Sequence, residues 1–425
     1  MKLCLKSISL LLLIGSFYAS KAQSNGVLTG TILNKTSQQP VAGATIQLTT
    51  IKTAISDSAG YFRIAGITPG AYSITIKALG FNTQIRYNIA ISVGNENNIG
   101  IELDPFVTVL NDVSVTSTAR NKSAKAATLE TPLSVQRLTT EEIKSNPGGN
   151  FDISRVIQAL PGVGGTASTA GFRNDIIIRG GAPNENVYYL DGIEIPVINH
   201  FATQGSAGGP AGILNVSFIE EVKLSSSAFD ARFDNALSGV FEFKQKKGNT
   251  NHLQGNVRLS GTELAATLDG PLSKNGKTSF LASARRSYLQ LLFKAIDLPI
   301  RPNYWDFQYK ISSQLNKTTT LTLLGIAAID EFSFAAPKEA TPEKLYALNS
   351  NPSINQWNYT VGASIKKLVK NGYWNLAISR NAFNNQLEKY ENNLGPIKGL
   401  RTLFFNSRET ENKLRFDVNK TIDFG

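Results

Sequence analysis

The chain of 425 residues has room for two or three domains, and 41% hydrophobic with 18% charged residues is the composition of a folded rather than a disordered protein. The formal net charge is +11, or +8 without Lys2, Lys6 and Lys21 near the N-terminus, and no segment gathers it into a nucleic-acid-binding stripe or a basic helix. With one cysteine and two widely separated histidines, His200 and His252, neither a histidine-rich metal centre nor a Cys/His pair can be assembled, no Gly-x-Ser-x-Gly run occurs, and neither an enzyme nor a cofactor is expected.

Residues 1–22 read as a secretory leader. Lys2 and Lys6 give a basic start, Ile8 to Phe17 an apolar core too short to span a bilayer, and Ser20-Lys21-Ala22 a small-x-Ala site that predicts cleavage between Ala22 and Gln23. Cys4 lies inside this leader, so disulfides, thiolate metal sites and a cysteine nucleophile are excluded from the mature chain. From 23 to 104, short alternating runs such as Val27 to Ile32, Ala44 to Leu48, Gly60 to Ile64 and Tyr72 to Ile76 predict a small antiparallel β-sandwich. Its connectors, Pro40 to Ala44, Asp57 to Phe62, Pro69 to Tyr72 and Gly80-Phe81, resemble the pattern of the carboxypeptidase regulatory-like, prealbumin-type domain.

Residues 105–130 have linker composition. Within them Leu110-Asn111-Asp112-Val113-Ser114-Val115-Thr116 is extended-prone and of the kind that adds as a strand to another protein's sheet edge; a last sandwich strand or plain linker is the alternative.

From 131 to 247 the pattern is mixed. Asn150 or Asp152 caps a helix with Ile153, Val156, Ile157 and Leu160 on one face, stopped by Pro161-Gly162. Two short apolar runs end at glycine, Ile176-Ile177-Ile178-Arg179-Gly180 and Tyr188-Tyr189-Leu190-Asp191-Gly192, as strands entering tight turns do. An α+β domain is predicted. Thr131 to Val135, Leu160-Pro161-Gly162-Val163, Ile178-Arg179-Gly180, Leu190-Asp191-Gly192-Ile193, Ile219-Glu220-Glu221-Val222 and Phe229 to Val240 follow the order and spacing of the plug of TonB-dependent outer-membrane receptors, which this segment resembles. Phe233-Asp234 and Ser238-Gly239 depart from that family's aromatic-Gly and Gly-Gly.

From 248 to 425, strands alternate apolar with polar residues. Trp305, Phe307, Tyr309 and Ile311 oppose Asp306, Gln308, Lys310 and Ser312, and Trp357 to Ile365 repeats the alternation. Tight turns at Lys274-Asn275-Gly276, Asn316-Lys317-Thr318 and Lys370-Asn371-Gly372 alternate with long connections near 289–303, 332–354 and 387–401. Strands of about ten residues in a transmembrane β-barrel are predicted, with adjacent Arg285 and Arg286 on opposite faces, one in the lumen and one near a membrane interface. About eight or nine strands cannot enclose a plug, since plugged barrels use about 22, so the chain reads as the first part of a larger barrel.

The fold class expected is therefore mainly β: sandwich, α+β plug and partial barrel. The resemblance implies an outer-membrane location with the N-terminal domain periplasmic, and energised import of a scarce nutrient such as an iron chelate, vitamin, oligosaccharide or peptide. It further implies a TonB-type energy transducer contacting residues 110–116, outer-membrane lipid around the barrel, and a surface lipoprotein as a further candidate partner. Arg179 is expected to couple plug to barrel through acidic groups on the wall, while the stretches 164–172 and 199–209 are candidate ligand loops and His200 a plain loop residue. A signalling receptor without import, or a secreted carbohydrate- or peptide-binding protein with a regulatory-like module, are the alternatives.

Overall fold

The computed structural model describes residues 25–48, 52–92, 96–106, 135–146, 152–165, 174–226, 229–230, 232–394 and 399–420. The expected leader with its predicted cleavage between Ala22 and Gln23, the segment 110–116 and most of the stretch 164–172 lie outside these residues. Two compact units are present, 1–108 and 109–425.

The first unit holds β1 (Gly26–Asn34), β2 (Thr45–Leu48), β3 (Lys52–Ile55), β4 (Tyr61–Ile67), β5 (Gly70–Lys77), β6 (Gln84–Ile91) and β7 (Glu96–Leu103). They form two sheets, β4-β1-β7 and β3-β2-β5-β6. Leu28, Ile46, Phe62, Ile76 and Leu103 are among the side chains of their common core. The turn chemistry is local: Asp57 Oδ1 accepts the N–H groups of Ala59 and Tyr61 at 2.9 and 2.8 Å, and Gly60 takes φ +74°. The sandwich is not wholly antiparallel as expected, because β7 returns beside β1 in the same direction. Alternation reports which face a strand buries, and that face is the same in either orientation.

In the second unit the chain first folds as a mixed α+β domain. Its strands are β8 (Val135–Thr139), β9 (Val163–Gly165), β10 (Ile176–Ile178), β11 (Asn186–Leu190), β12 (Ile193–Glu194), β13 (Asn199–His200), β14 (Ala211–Gly212), β15 (Ile219–Ser226) and β16 (Gly239–Gln245). A five-stranded sheet runs β12-β11-β16-β15-β8, with β11 parallel to β16. All of β11 is buried, which is why Val187 to Leu190 is an unbroken apolar and aromatic run rather than an alternation, and buried Asn186 at its start donates to the Ile176 carbonyl at 2.8 Å. Helix α1 (Thr140–Ser145) starts at a capping box between Thr139 and Glu142. Helix α2 (Ile153–Ile157) starts at Asp152, whose carboxylate accepts the Ser154 N–H, and buries Ile153, Val156 and Ile157.

The remaining strands are β17 (Gln254–Leu259), β18 (Glu263–Pro271), β19 (Thr278–Ser287), β20 (Ile300–Gln314), β21 (Thr319–Phe334), β22 (Ser353–Val369), β23 (Gly372–Tyr390) and β24 (Arg401–Lys420). Each pairs antiparallel with the next in chain order, making an eight-stranded sheet that is open between β17 and β24 among the described residues. Successive residues alternate between two chemically opposite faces. On β20, Asp306, Gln308, Lys310 and Ser312 are buried, whereas Trp305, Phe307 and Tyr309 are exposed. The polar face lies against the α+β domain, whose apolar core also takes in Leu324, Ile326, Ala328 and Phe383 from the sheet. This inside-out arrangement is that of a transmembrane barrel wall with its plug.

The register fixes the height of the apolar band. Lateral partners on the outward face form rows, one running Leu264–Arg286–Trp305–Ile329–Trp357–Asn384–Arg408 and another, near the tight turns, Thr319–Lys367–Trp374–Val418. On β22 these rows are ten residues apart, from Trp357 to Lys367. That is about 34 Å along a strand, or about 24–28 Å across a membrane at the usual tilt of about 35–45°. The interval matches the apolar band of outer-membrane barrels, bounded by tryptophan at both ends.

The strands are longer than expected, β20 to β24 having 15, 16, 17, 19 and 20 residues. Ladder pairing continues beyond the apolar band wherever both neighbours stay extended, as in the polar row Asn303–Glu331–Asn355–Gln386–Asn406. The long connections shorten accordingly, and two of them hold α3 (Leu289–Ala295) and α4 (Pro342–Ser350).

Candidate functional site

The polar seam between plug and wall begins with a tight turn. Asp191 and Gly192 take φ +49° and +84°, so both central residues of the β11–β12 hairpin are left-handed. Asp-Gly is the pair that tolerates this geometry, and Leu190 pairs with Ile193 across it. Asp191 Oδ1 accepts the Gln245 N–H at 2.9 Å, while Oδ2 accepts Gln245 Nε2 at 3.0 Å and meets Lys310 Nζ of the wall at 2.9 Å. Lys310 also donates to the Gln245 carbonyl at 3.0 Å. Beside it Gln308 donates to Gln245 Oε1 at 2.8 Å and accepts the Asn215 N–H at 2.9 Å.

Toward the long connections the seam becomes a charge chain. His200 is wholly buried, with Nδ1 2.6 Å from Asp330 Oδ1 on β21 and Nε2 3.0 Å from Asp306 Oδ2 on β20. Two carboxylates face the two ring nitrogens, and only an imidazolium has a proton for each. Burial by itself lowers the imidazole pKa, but Asp330 and Asp306 outweigh it and hold His200 above its ordinary value of 6.5. Arg285 extends the chain, donating Nε to Asp306 at 2.6 Å and pairing with Glu263, which Arg258 also holds at 2.6 Å. From Arg258 to Asp330 the six groups alternate in sign and sum to zero only with His200 protonated. Tyr304 stacks on the imidazole at 3.8 Å and donates its hydroxyl to Glu263, and Arg285 also donates to the Gly212 carbonyl of the plug.

Near β23 and β24 the plug's Glu194 pairs with Lys413 at 2.7 Å, and Gln204 donates to Glu409 at 2.8 Å. A cavity of about 340 Å³ separates plug from wall here, with Asn186, Tyr188, Glu194, Asn381 and Phe383 in its lining.

Several expectations are redrawn by these positions. His200 is not a loop residue but the plug's doubly bonded contact to the wall, and within residues 199–209 Asn199 and Ala202 are buried while Thr203, Gly205, Ser206 and Ala207 line the cavity. Arg179 stands exposed in a left-handed turn with Gly180, its N–H bound to the Gly162 carbonyl at 3.0 Å, so the turns at Pro161-Gly162 and Arg179-Gly180 meet. The seam's ion pairs described above run through Asp191, Glu194 and His200. Arg285 faces the plug, while Arg286 lies on the outward face 4.7 Å over the Trp305 ring. Alternation places Asp306 and Asp330 inward, which was the available clue to a cationic partner. The partner itself, 106 and 130 residues away, carries no local signal. Among the described residues no cluster of three or more His, Cys, Asp or Glu side chains is arranged to hold a metal ion.

Comparison with known proteins gives the arrangement its family context. Residues 27–104 match the carboxypeptidase regulatory-like domain, and residues 127–240 the TonB-dependent receptor plug domain. The TonB-dependent transporter Oar of Myxococcus xanthus is 24% identical over 269 residues, covering 61% of this chain and 23% of that protein. The uncharacterized protein YddB of Escherichia coli K12 is 28% identical over 158 residues, 33% of this chain and 20% of that protein. A mutant of the ferric enterobactin receptor of Pseudomonas aeruginosa, solved with enterobactin, superposes with TM-score 0.50 at 16% identity, covering 68% of this chain and 47% of that one. The chain thus spans about a quarter or less of these curated relatives and about half of that solved receptor. With both domains matched and the α+β domain seated on an inside-out wall, the chain carries a TonB-dependent receptor plug domain that follows a carboxypeptidase regulatory-like domain.

Proposed function

We propose that the protein acts in the outer membrane as a nutrient receptor whose plug is displaced by a TonB-type transducer, and that the polar seam is what yields when force is applied. The observation that carries this reading is the composition of the seam. Beside its apolar contacts, the plug is held to the wall by ion pairs and hydrogen bonds from Asp191, Glu194 and His200. Such contacts exchange for water as they part, so a pulled plug segment costs less to release than a fully apolar interface would. The cavity beside Glu194 gives the plug room to shift.

In this scheme residues 110–116 are the handle, and the ligand is a scarce nutrient whose class is addressed by binding and uptake assays. Deleting residues 110–116 from the full-length receptor is expected to abolish energised uptake while leaving ligand binding intact. Unchanged uptake refutes the coupling assignment, and recovery of the protein in a soluble fraction rather than the outer membrane refutes the receptor reading.

A further inference from the structure

The cavity of about 340 Å³ between plug and wall falls within the size range of small-molecule sites. Glu194 reaches it from the plug and Glu409 and Glu411 from β24, and no lysine, arginine or histidine is among the described residues that line it. From outside, the carboxylates are only partly answered. Lys413 serves two of them, meeting Glu194 at 2.7 Å and Glu411 at 3.2 Å, while Gln204 gives Glu409 a neutral hydrogen bond at 2.8 Å. Three negative charges thus share one positive charge. Burial raises the pKa of Glu194, and Glu411 and Asp234 add to that rise against the pull of Lys413, so the net shift is upward.

Two amides are left over as well. Asn381, 3% exposed, has no hydrogen-bond partner at either Oδ1 or Nδ2, and Asn186, 8% exposed, has none at Oδ1. Both residues line the cavity. Buried polar atoms are nearly always bonded, so two unanswered amides on one cavity mark groups whose partner comes from within it. Asn381 stands in the row Thr360–Asn381–Glu411, three residues from the tryptophan row on the side of the tight turns. The site therefore lies inside the wall at the level of the apolar band, where a charge interacts more strongly than in bulk water.

We propose that this cavity binds an alkylammonium ion, its charge taken by Glu194, Glu409 and Glu411 and its N–H groups by the free amide oxygens of Asn186 and Asn381. The assignment rests on the receptor reading above and gives the nutrient a chemical class. Charge decides the occupant, because the unanswered groups are mostly acceptors and an ammonium has three donors and no acceptor. Among the described residues the carboxylates are not arranged to hold a metal ion, which favours a cation that bonds through N–H. Phe383 and Val197 give the remaining wall an apolar surface for methylene groups.

The test uses the full-length receptor in mild detergent, with 1,4-diaminobutane and its neutral isostere 1,4-butanediol as probes, read by equilibrium dialysis at fixed ionic strength. Wild type is expected to bind the diamine at least about tenfold more tightly than the diol, since one charge-assisted contact is worth roughly a factor of ten. Glu409→Gln with Glu411→Gln is expected to remove most of that preference. Asn381→Leu alters no charge and is expected to weaken diamine binding about fivefold, which locates the probe in the cavity rather than on an acidic surface at large. Equal binding of both probes by wild type overturns the proposal. So does unchanged diamine affinity in either variant, provided its barrel still migrates as the folded, heat-modifiable band; should the glutamine variant not fold, Asn381→Leu decides alone. Displacement of the diamine by magnesium chloride, but not by sodium chloride of equal ionic strength, makes this an inorganic cation site and also overturns it. Fractionation separates the two readings, because a receptor found in the outer membrane without diamine preference sinks only this inference.

Discussion

Replacing His200 by alanine removes a cation that two buried carboxylates share. Asp306 keeps Arg285 at 2.6 Å, but of its two bonds Asp330, 1% exposed, retains only the Phe201 N–H at 2.9 Å. Leaving a buried charge without its partner costs about 3–5 kcal/mol, which corresponds to a plug that opens about a hundredfold to a few thousandfold more often. Hydrogen exchange on the full-length receptor reads this directly, as faster exchange in β13, β14 and the facing stretch of β21. Asp330→Asn on the His200→Ala background removes the orphan charge, so the double variant is expected to be less destabilised than the sum of the single changes. In wild type the folded-state pKa of His200 lies above its unfolded value of 6.5. Its contribution is therefore fully present below about pH 6.5 and is lost as pH rises through the raised value, and the double variant is expected to be flat across that window. Equal exchange in wild type and His200→Ala, or single costs that add within about 0.5 kcal/mol, would refute the view that this cluster latches the plug.

Three further outcomes follow from the same geometry. Arg285→Met strands Asp306 and Glu263 in part and is expected to cost about 3–5 kcal/mol, whereas Arg286→Met gives up an outward stack over Trp305 worth about 1 kcal/mol or less; denaturant midpoints of the two variants measure the contrast. Leu323→Arg sets a charge on the outward face between the two tryptophan rows and is expected to lower barrel stability by about 2–4 kcal/mol, read as loss of the folded electrophoretic form. Gly192→Ala meets no atom within 4 Å, so its cost of about 1–2 kcal/mol comes from the left-handed φ of +84° alone and is measured by equilibrium unfolding.

Much of the fold is legible in the residues because its causes are local. Asp191-Gly192 dictates its turn, Asp152 its helix start, and the alternation of Trp305 to Ser312 its two faces, each within a few positions in the chain. The same locality explains the omissions. Helix α1 was readable from the Thr139-x-x-Glu142 capping box and is not among the elements expected from the sequence. The parallel course of β7 beside β1 leaves no trace in either strand, because orientation is set by the path between them.

What the sequence determined by itself is the division into sandwich, plug and wall, and which side chains face inward along each strand. Only the tertiary structure decided who meets whom across the seam. His200 is joined to Asp306 and Asp330 by closures of 106 and 130 residues, and Asp191 to Lys310 across the plug–wall boundary. The reason is physical: turns, caps and alternation arise from forces between near neighbours, whereas a buried ion pair exists only once the fold has brought distant strands to one low-dielectric surface.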